Sequence, residues 1–381
     1  MDYDFIVVGA GMAGASIAYE LSRTARVVIV EAEARPGVHA TGRSAALFAP
    51  TYGGREIRAV TRASRAFFDN PPSGFSEVPL LRDRGCLYIA NADQRERLTR
   101  MAESISASGG RVSTVSKAEA MRRIPLLRDA YLSEAILDPD AMDLDVDALH
   151  QGFLRGLRAA GAEILTDARL TRASRKDGVW SLTVGEHNLQ APTVINAAGA
   201  WGDEVAKICG ADPVGLQALR RTAMLVDPPA GMDISAWPAV IDVDEEFYFK
   251  PDAGKLLLSP ADEVLDVPRD VQPEEMDIAL GVDRVQAALN IEVRRVSHSW
   301  AGLRTFAPDR TPVVGFDPIV EGLFWCAGQG GYGIQTAPAL GRTAAALALG
   351  KTVPTDVATE GLAAADLSPG RFAPPRAARR L

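Results

Sequence analysis

The chain has 381 residues, 47% of them apolar and 24% charged, an ordinary globular balance with length for two domains. Asp and Glu (49) outnumber Lys and Arg (41), giving a net charge of −8. With no basic stripe before the C-terminal tail, nothing points to a nucleic-acid partner. The three cysteines (Cys86, Cys209, Cys326) and four histidines (His39, His150, His187, His298) are scattered, without disulfide or metal-ligand spacing, so a reducing compartment and no metal are expected.

The start, Met1-Asp2-Tyr3-Asp4, is acidic where a signal peptide would be basic. No stretch is apolar for long enough to span a bilayer, so the expectation is a cytoplasmic protein without an integral membrane segment.

Phe5-Ile6-Val7-Val8 has the pattern of a buried strand and runs straight into Gly9-Ala10-Gly11-Met12-Ala13-Gly14. Helix formers follow from Ala15 to Ser22, and a second apolar strand, Val27-Val28-Ile29-Val30, ends on Glu31. Strand, glycine turn, helix, strand and an acid about twenty residues past the glycines is the dinucleotide-binding arrangement. Gly9 permits the turn, Gly11 admits a pyrophosphate and Gly14 lets the helix lie close to the strand. A carboxylate at Glu31 suits ribose hydroxyls and repels a 2′-phosphate.

Further along, Thr41 to Ala46 reads as a glycine loop entering a short helix, Ala49 to Gly54 as a loop and Arg58 to Phe68 as an amphipathic helix. Gly85 to Asn91 reads as a strand, and Met101 to Arg123 as two helices around a polar turn. Asp147 to Ala160 is a helix closed by Gly161, with His150 a packed residue on it. Strands and a hairpin follow to Leu189, then Thr193 to Trp201 is a buried strand ending in a glycine turn. From Arg220 to about Leu303 the pattern is a sheet with connecting loops: Thr222–Val226, Ala239–Val243, Phe247–Pro251 and Lys255–Ser259. Leu323 to Gly328 is again a strand entering glycines, before an Ala-rich helix to Leu349.

The expected fold is α/β. A Rossmann-like nucleotide domain takes 1–80, 140–215 and 308–365, and a discontinuous α+β, mixed-sheet substrate domain takes 81–139 and 216–307. Residues 366–381, with Arg371, Arg376, Arg379 and Arg380, read as a frayed solubilising tail.

Three glycine-rich elements in order, GAGMAG with Glu31, INAAGAW at Ile195 to Trp201 and CAGQGGYGIQTAP at Cys326 to Pro338, resemble the D-amino acid oxidase superfamily of flavoproteins. TGRSAA (Thr41 to Ala46), RAFFDNPPSGF (Arg65 to Phe75), ALHQGFLRG (Ala148 to Gly156), FYFKPDAG (Phe247 to Gly254) and WAGLRTF (Trp300 to Phe306) resemble the D-arginine dehydrogenase type within it. The resemblance spans nearly the whole chain and implies FAD in place of NAD, which the glycine motif alone does not decide.

It places Gly9, Gly11, Ala13, Gly14, Glu31 and Ala32 at the ADP half and Leu170 at the adenine. Thr41, Gly42, Arg43, Ser44 and Ala45 would line the pyrophosphate and one flavin edge. Gly199 would border the cofactor, and Gly330, Gly331, Tyr332, Gly333, Ile334 and Gln335 would close on the isoalloxazine. No cysteine lies where sarcosine oxidases attach their flavin, so a non-covalent cofactor is expected.

An α-amino acid offers a carboxylate to anchor and a Cα–H to aim. The planar two-point grip of arginine suits the carboxylate: Arg304 first, then Arg221, with Tyr52 and Tyr248 adding phenol hydrogen bonds. If the amine arrives neutral, its lone pair drives hydride departure and no base is required. The remaining pocket positions implied are Leu47, Ala49, Cys86, Ala239, Ile241, Gly331 and Gln335. Arginine-oxidising relatives have an acid at Cys86, a histidine at Leu47, a threonine at Ala49 and a methionine at Ala239. Each change removes polarity or bulk, and an unpaired buried guanidinium costs on the order of several kcal/mol. A D-amino acid with a neutral or apolar side chain is therefore expected, with D-arginine and D-lysine poor substrates.

The segment Leu47 to Gly54 is read as a lid. Oxidation of a secondary amine (sarcosine- or proline-like) or a 2-hydroxy acid, and a flavin-binding module without turnover, remain open. So does oxygen or a quinone as electron acceptor.

Overall fold

The computed structural model describes residues 2–372. Runs of β-branched residues, buried on every side chain, form a six-stranded sheet. Its order is Val313–Phe316, Leu323–Ala327, Thr193–Asn196, Phe5–Val8, Val27–Val30 and Glu163–Leu165, parallel except for the first strand. Continuous apolar strands suit a sheet covered on both faces. The helix Met12–Leu21 covers one face and packs beneath Gly333–Ala348, where Gly341 meets Ser16 so closely that a Cβ would lie 2.8 Å from the serine Cβ.

A ten-stranded mixed sheet holds the second core. Its centre pairs Gln217–Val226 with the long strand Val296–Phe306, antiparallel along their length. The sheet continues through Lys255–Ser259, Tyr248–Asp252, Ala239–Asp242, Cys86–Ala90, Glu134–Asp138 and Ser113–Val115. Gln329–Gly330 joins it by pairing with Thr305 and Phe306, so a segment expected wholly in the nucleotide domain reaches the other sheet. Leu47–Phe48, Met142–Leu144 and Leu81–Asp83 form a small sheet between the two, and Leu170–Lys176, Val179–Val184 and His187–Ala191 a three-stranded one.

Several expectations are corrected. Thr41 to Ala46 forms turns, not a short helix, before the Leu47–Phe48 strand, because Thr41 and Arg43 spend their side chains on tertiary contacts. The all-sheet reading of 220–303 missed the helix Glu275–Ala288, whose pattern is blurred by Met276 and Leu280 on its exposed side. The tail is not frayed from residue 366. Leu367 is fully buried, and Arg371 pairs with Asp309 at 2.7 Å and donates to Thr311 O. Arg376, Arg379 and Arg380 lie outside the described residues. Among the described residues no helix is long and apolar enough to cross a membrane.

Candidate active site

A cavity of about 370 Å³ runs from the first glycine turn to the long strands of the mixed sheet. At one end the Gly9–Gly14 turn is set by sterics. Gly9 has φ +104°, and a Cβ on Gly14 would lie 1.8 Å from Gly9 O, so only glycine lets the helix approach the strand. Glu31 accepts from Ala10 N (2.8 Å) and Glu33 N (3.0 Å), which fixes its carboxylate at the cavity wall. Thr41 Oγ1 takes the Met12 N–H at 2.9 Å, leaving Ala13 at the wall with the helix N-terminus behind it. His150 donates from Nε2 to Ala10 O at 2.8 Å, so the packed histidine supports this turn.

Leu170 borders the same end with Ala168, Arg169, His39 and Trp201, whose ring lies 4.7 Å from that of His39. Carboxylate for ribose, amides for phosphate and a flat apolar end for adenine are the donor set an FAD requires.

Gly11, Ala32, Ser44, Ala45, Gly199, Gly330, Gly331, Gly333 and Ile334 also line this cavity. Of the other expected cofactor positions, Gly14 packs against Gly9, Tyr332 lines a second cavity and Gln335 turns to Ala49, none of them on this lining. Gly42 and Arg43 also act otherwise. Gly42 donates its N–H to Gly37 O and is absent from the lining. Arg43 borders the cavity, but its guanidinium is engaged by Val38 O, Val271 O, Ala301 O and Asp270, tying the loop to the mixed sheet instead of facing a pyrophosphate.

At the other end, strand register sorts the arginines. Arg304 lies opposite Leu219 and Arg221 opposite Gly302, so both guanidinium groups stand diagonally on the cavity face. Arg220 points the other way, to Glu274 at 2.5 Å and Asp277 at 2.9 Å. Arg221 is already engaged: it donates to Asp262 O at 2.8 Å and pairs with Glu263 at 3.1 Å.

Arg304 makes no ion pair among the described residues. It lies under Gly331, where a Cβ would sit 2.8 Å from its Nη1. Burial opposes its charge, but Tyr248, Tyr52 and Glu245 outweigh that and raise its pKa above the usual arginine value. A permanently cationic, unpaired guanidinium facing a cavity is an anion site.

Tyr248 borders the cavity beside it. Burial, then Glu245, pushes the Tyr52 phenol up, so it stays protonated and donates a hydrogen bond to Glu245 Oε2 at 3.0 Å. Tyr52 and Tyr332 meet edge to face at 5.2 Å and line a second cavity of about 400 Å³ with Glu245, Arg58 and Arg310. Past the anchor, the helix Gly333–Ala348 starts at the cavity with first-turn N–H groups that have no acceptor within the helix.

The expected pocket positions Ala49, Cys86 and Ala239, all buried, gather in one apolar cluster with Leu47, Ile241 and Tyr52 against them, but none of the six lines the main cavity. Ala239, Cys86 and then Asp138 are successive cross-strand partners. Burial, then Asp138, drives the Cys86 pKa well up, keeping it a neutral thiol. Gln335 accepts from Ala49 N at 3.0 Å, while its Nε2 is buried without a partner.

Sequence reasoning missed Glu245, which holds the Tyr52 phenol, and His39 and Arg269, which border the main cavity. Glu245 left only a faint signal, an acidic run before FYF, since its position depends on a left-handed turn (φ +55°).

Known proteins agree with this cradle. The family pattern described as DAO, FAD dependent oxidoreductase, matches residues 4–347. The uncharacterized oxidoreductase YurR of Bacillus subtilis (strain 168) is 25% identical, over 93% of this chain and 96% of that protein. The glycine oxidase of Bacillus licheniformis is 24% identical, over 93% and 95%. The crystal structure of glycine oxidase from Geobacillus kaustophilus superposes with a TM-score of 0.83 at 22% identity, covering 94% of this chain and 97% of that one. The D-arginine dehydrogenase type is not singled out among these relatives. With a match across almost its entire length and a cavity furnished for the cofactor, the chain belongs to the DAO family of FAD-dependent oxidoreductases, and FAD is its cofactor.

Proposed function

We propose that this protein oxidises the Cα–N bond of a D-amino acid with a neutral or apolar side chain. The unpaired Arg304 guanidinium on the cavity face carries the reading, because it awaits one small anion beside the cofactor cradle. Arg304 would grip the carboxylate in two places, with the Tyr52 and Tyr248 phenols and the second cation, Arg221, fixing its orientation. The Cys86–Ala49–Ala239 wall would receive the side chain, and the unpartnered Gln335 Nε2 offers one polar contact there.

Bound FAD supplies the acceptor for the two electrons that leave Cα as hydride. The amine lone pair becomes the C=N bond as the hydride departs, and water converts the imine to a 2-oxo acid and ammonia. No protein base is needed when the amine is neutral; of the histidines, only His39 borders the main cavity, at the Trp201 end. The first turn of Gly333–Ala348 faces the site with positive potential, favouring a cofactor that gains negative charge.

The glycine oxidases among the relatives support amine oxidation and favour a second reading, in which the substrate is glycine or a small secondary amine such as sarcosine. Anaerobic mixing of the holoenzyme with D- and L-amino acids, glycine, sarcosine and proline tests both. Bleaching by D-leucine, D-methionine or D-phenylalanine ahead of D-arginine is expected. Preference for D-arginine overturns the side-chain assignment, and bleaching by sarcosine alone selects the second reading.

A further inference from the structure

We propose that Asp138 is a positioning residue that, through the Thr51 hydroxyl, fixes the turn carrying Tyr52 beside Arg304. The inference rests on Arg304 and Tyr52 being the carboxylate grip.

Asp138 ends the strand Glu134–Asp138, fully buried and without an ion pair among the described residues. The nearby Arg111 is taken by Asp140. A carboxyl group kept in the core without a cation costs stability unless strong donors reach it. One donor is local: the Asp140 N–H, at 2.8 Å, closes the turn after the strand. The Ala141 N–H adds to it locally, and the donor from elsewhere in the chain is Thr51 Oγ1, at 2.5 Å from Oδ2, contributed by a segment 87 residues away. Burial raises the Asp138 pKa and the Thr51 hydroxyl works against that, as expected of a donor that favours the carboxylate.

Thr51 is only 3% exposed and also lies 3.3 Å from the Tyr88 hydroxyl. Tyr52 N–H donates to Ala49 O at 3.1 Å, so residues 49–52 form one tight turn. Three side chains hold that turn: Gln335 at Ala49 N, Asp138 at Thr51 and Glu245 at the Tyr52 phenol. Glu245 is exposed, and its hold is weakened by solvent. Asp138 alone combines full burial with a charge-assisted bond. Asp138, Thr51 and Tyr52 all lie off the lining of the main cavity, and of the three Tyr52 is the one coupled electrostatically to Arg304, so an effect of Asp138 or Thr51 on an anion held there passes through the Tyr52–Arg304 pair.

The test compares holoenzymes of wild type, Thr51→Val, Thr51→Ser, Asp138→Ala, Tyr52→Phe and the Thr51→Val/Tyr52→Phe pair. Amide exchange is followed in residues 47–54 and 5–30, and benzoate is titrated as a probe carboxylate against flavin absorbance. In Thr51→Val and Asp138→Ala, exchange across 47–54 is expected to quicken and the benzoate Kd to rise about tenfold, while 5–30 is unchanged. Thr51→Ser keeps the hydroxyl and stays near wild type. In the Tyr52→Phe background, Thr51→Val adds little, because both changes act on one contact.

Wild-type exchange and benzoate affinity in Thr51→Val, or a penalty that adds in full to that of Tyr52→Phe, overturns the proposal. If Asp138→Ala fails to fold, the isosteric Thr51→Val decides it. Benzoate binding that ignores Tyr52→Phe or Arg304→Met, or no benzoate binding to wild type, overturns the carboxylate-grip reading and this inference with it. A penalty in Tyr52→Phe without one in Thr51→Val overturns this inference alone.

Discussion

Replacing Arg304 by methionine removes a cavity-lining guanidinium that forms no ion pair among the described residues, while keeping most of its apolar stem. Two charge-assisted hydrogen bonds to a substrate carboxylate would be lost, each of about 1.5 to 3 kcal/mol. Arg221 remains diagonal to the vacated place, on the same face of the paired strands, and although it is paired with Glu263 it still compensates in part. The lower end of the range therefore applies: about 3 kcal/mol, or on the order of 100-fold in kcat/KM. The loss should fall mainly on KM, because the contact exists before and during reaction.

Stability should change little, since the free enzyme loses a buried cation that makes no ion pair, while Glu245 and the Tyr52 and Tyr248 phenols lose its favourable field. Anaerobic stopped-flow reduction with the best substrate of the panel measures the first effect, and the thermal midpoint with the visible flavin spectrum measures the second. A kcat/KM within about threefold of wild type would remove Arg304 from the site. Loss of the flavin with a lowered midpoint would show that its role is structural.

Three further outcomes follow from the geometry. Cys86→Glu restores an acid to the wall and should raise reduction by D-arginine relative to D-leucine; an unchanged ratio in the same assay places the side-chain pocket elsewhere. Glu31→Gln weakens the ribose contact and the Ala10 N–H bond together, so the FAD Kd should rise about tenfold by ultrafiltration, with the substrate KM of reconstituted enzyme unchanged. Burial depresses the His150 pKa below its ordinary value, so near pH 6 and below the unfolded chain binds more protons there than the folded one. Its contribution to stability is present above about pH 6.5 and lost as the pH falls. Thermal midpoints measured from pH 8 to 5 should therefore fall less steeply in His150→Phe than in wild type, and parallel curves would remove His150 as the cause.

The nucleotide half was legible because its signals are local. A strand, three glycines, a helix and an acid leave their order in the chain, and Phe5 to Glu31 takes that arrangement with boundaries shifted by a few residues. The arginine pair was legible from motif likeness, but which of Arg220 and Arg221 faces the site depends on alternation along a strand whose register is set by Val296–Phe306. Asp138 and Glu245 were hidden for a different reason. One is a strand-end acid brought to Thr51 by sheet pairing, the other a turn residue placed by backbone curvature, and neither leaves a periodic trace. The helix Glu275–Ala288 was missed because apolar side chains also lie on its outer side.

Gln329–Gly330 runs from the nucleotide sheet into the edge of the mixed sheet, and Arg43 bolts the loop of one half to the backbone of the other. The two halves are thus stitched together at the catalytic floor itself. They cannot swing apart like a clamshell to admit substrate without tearing strand pairing beside the cofactor. Whatever enters the cavity must do so with that floor intact.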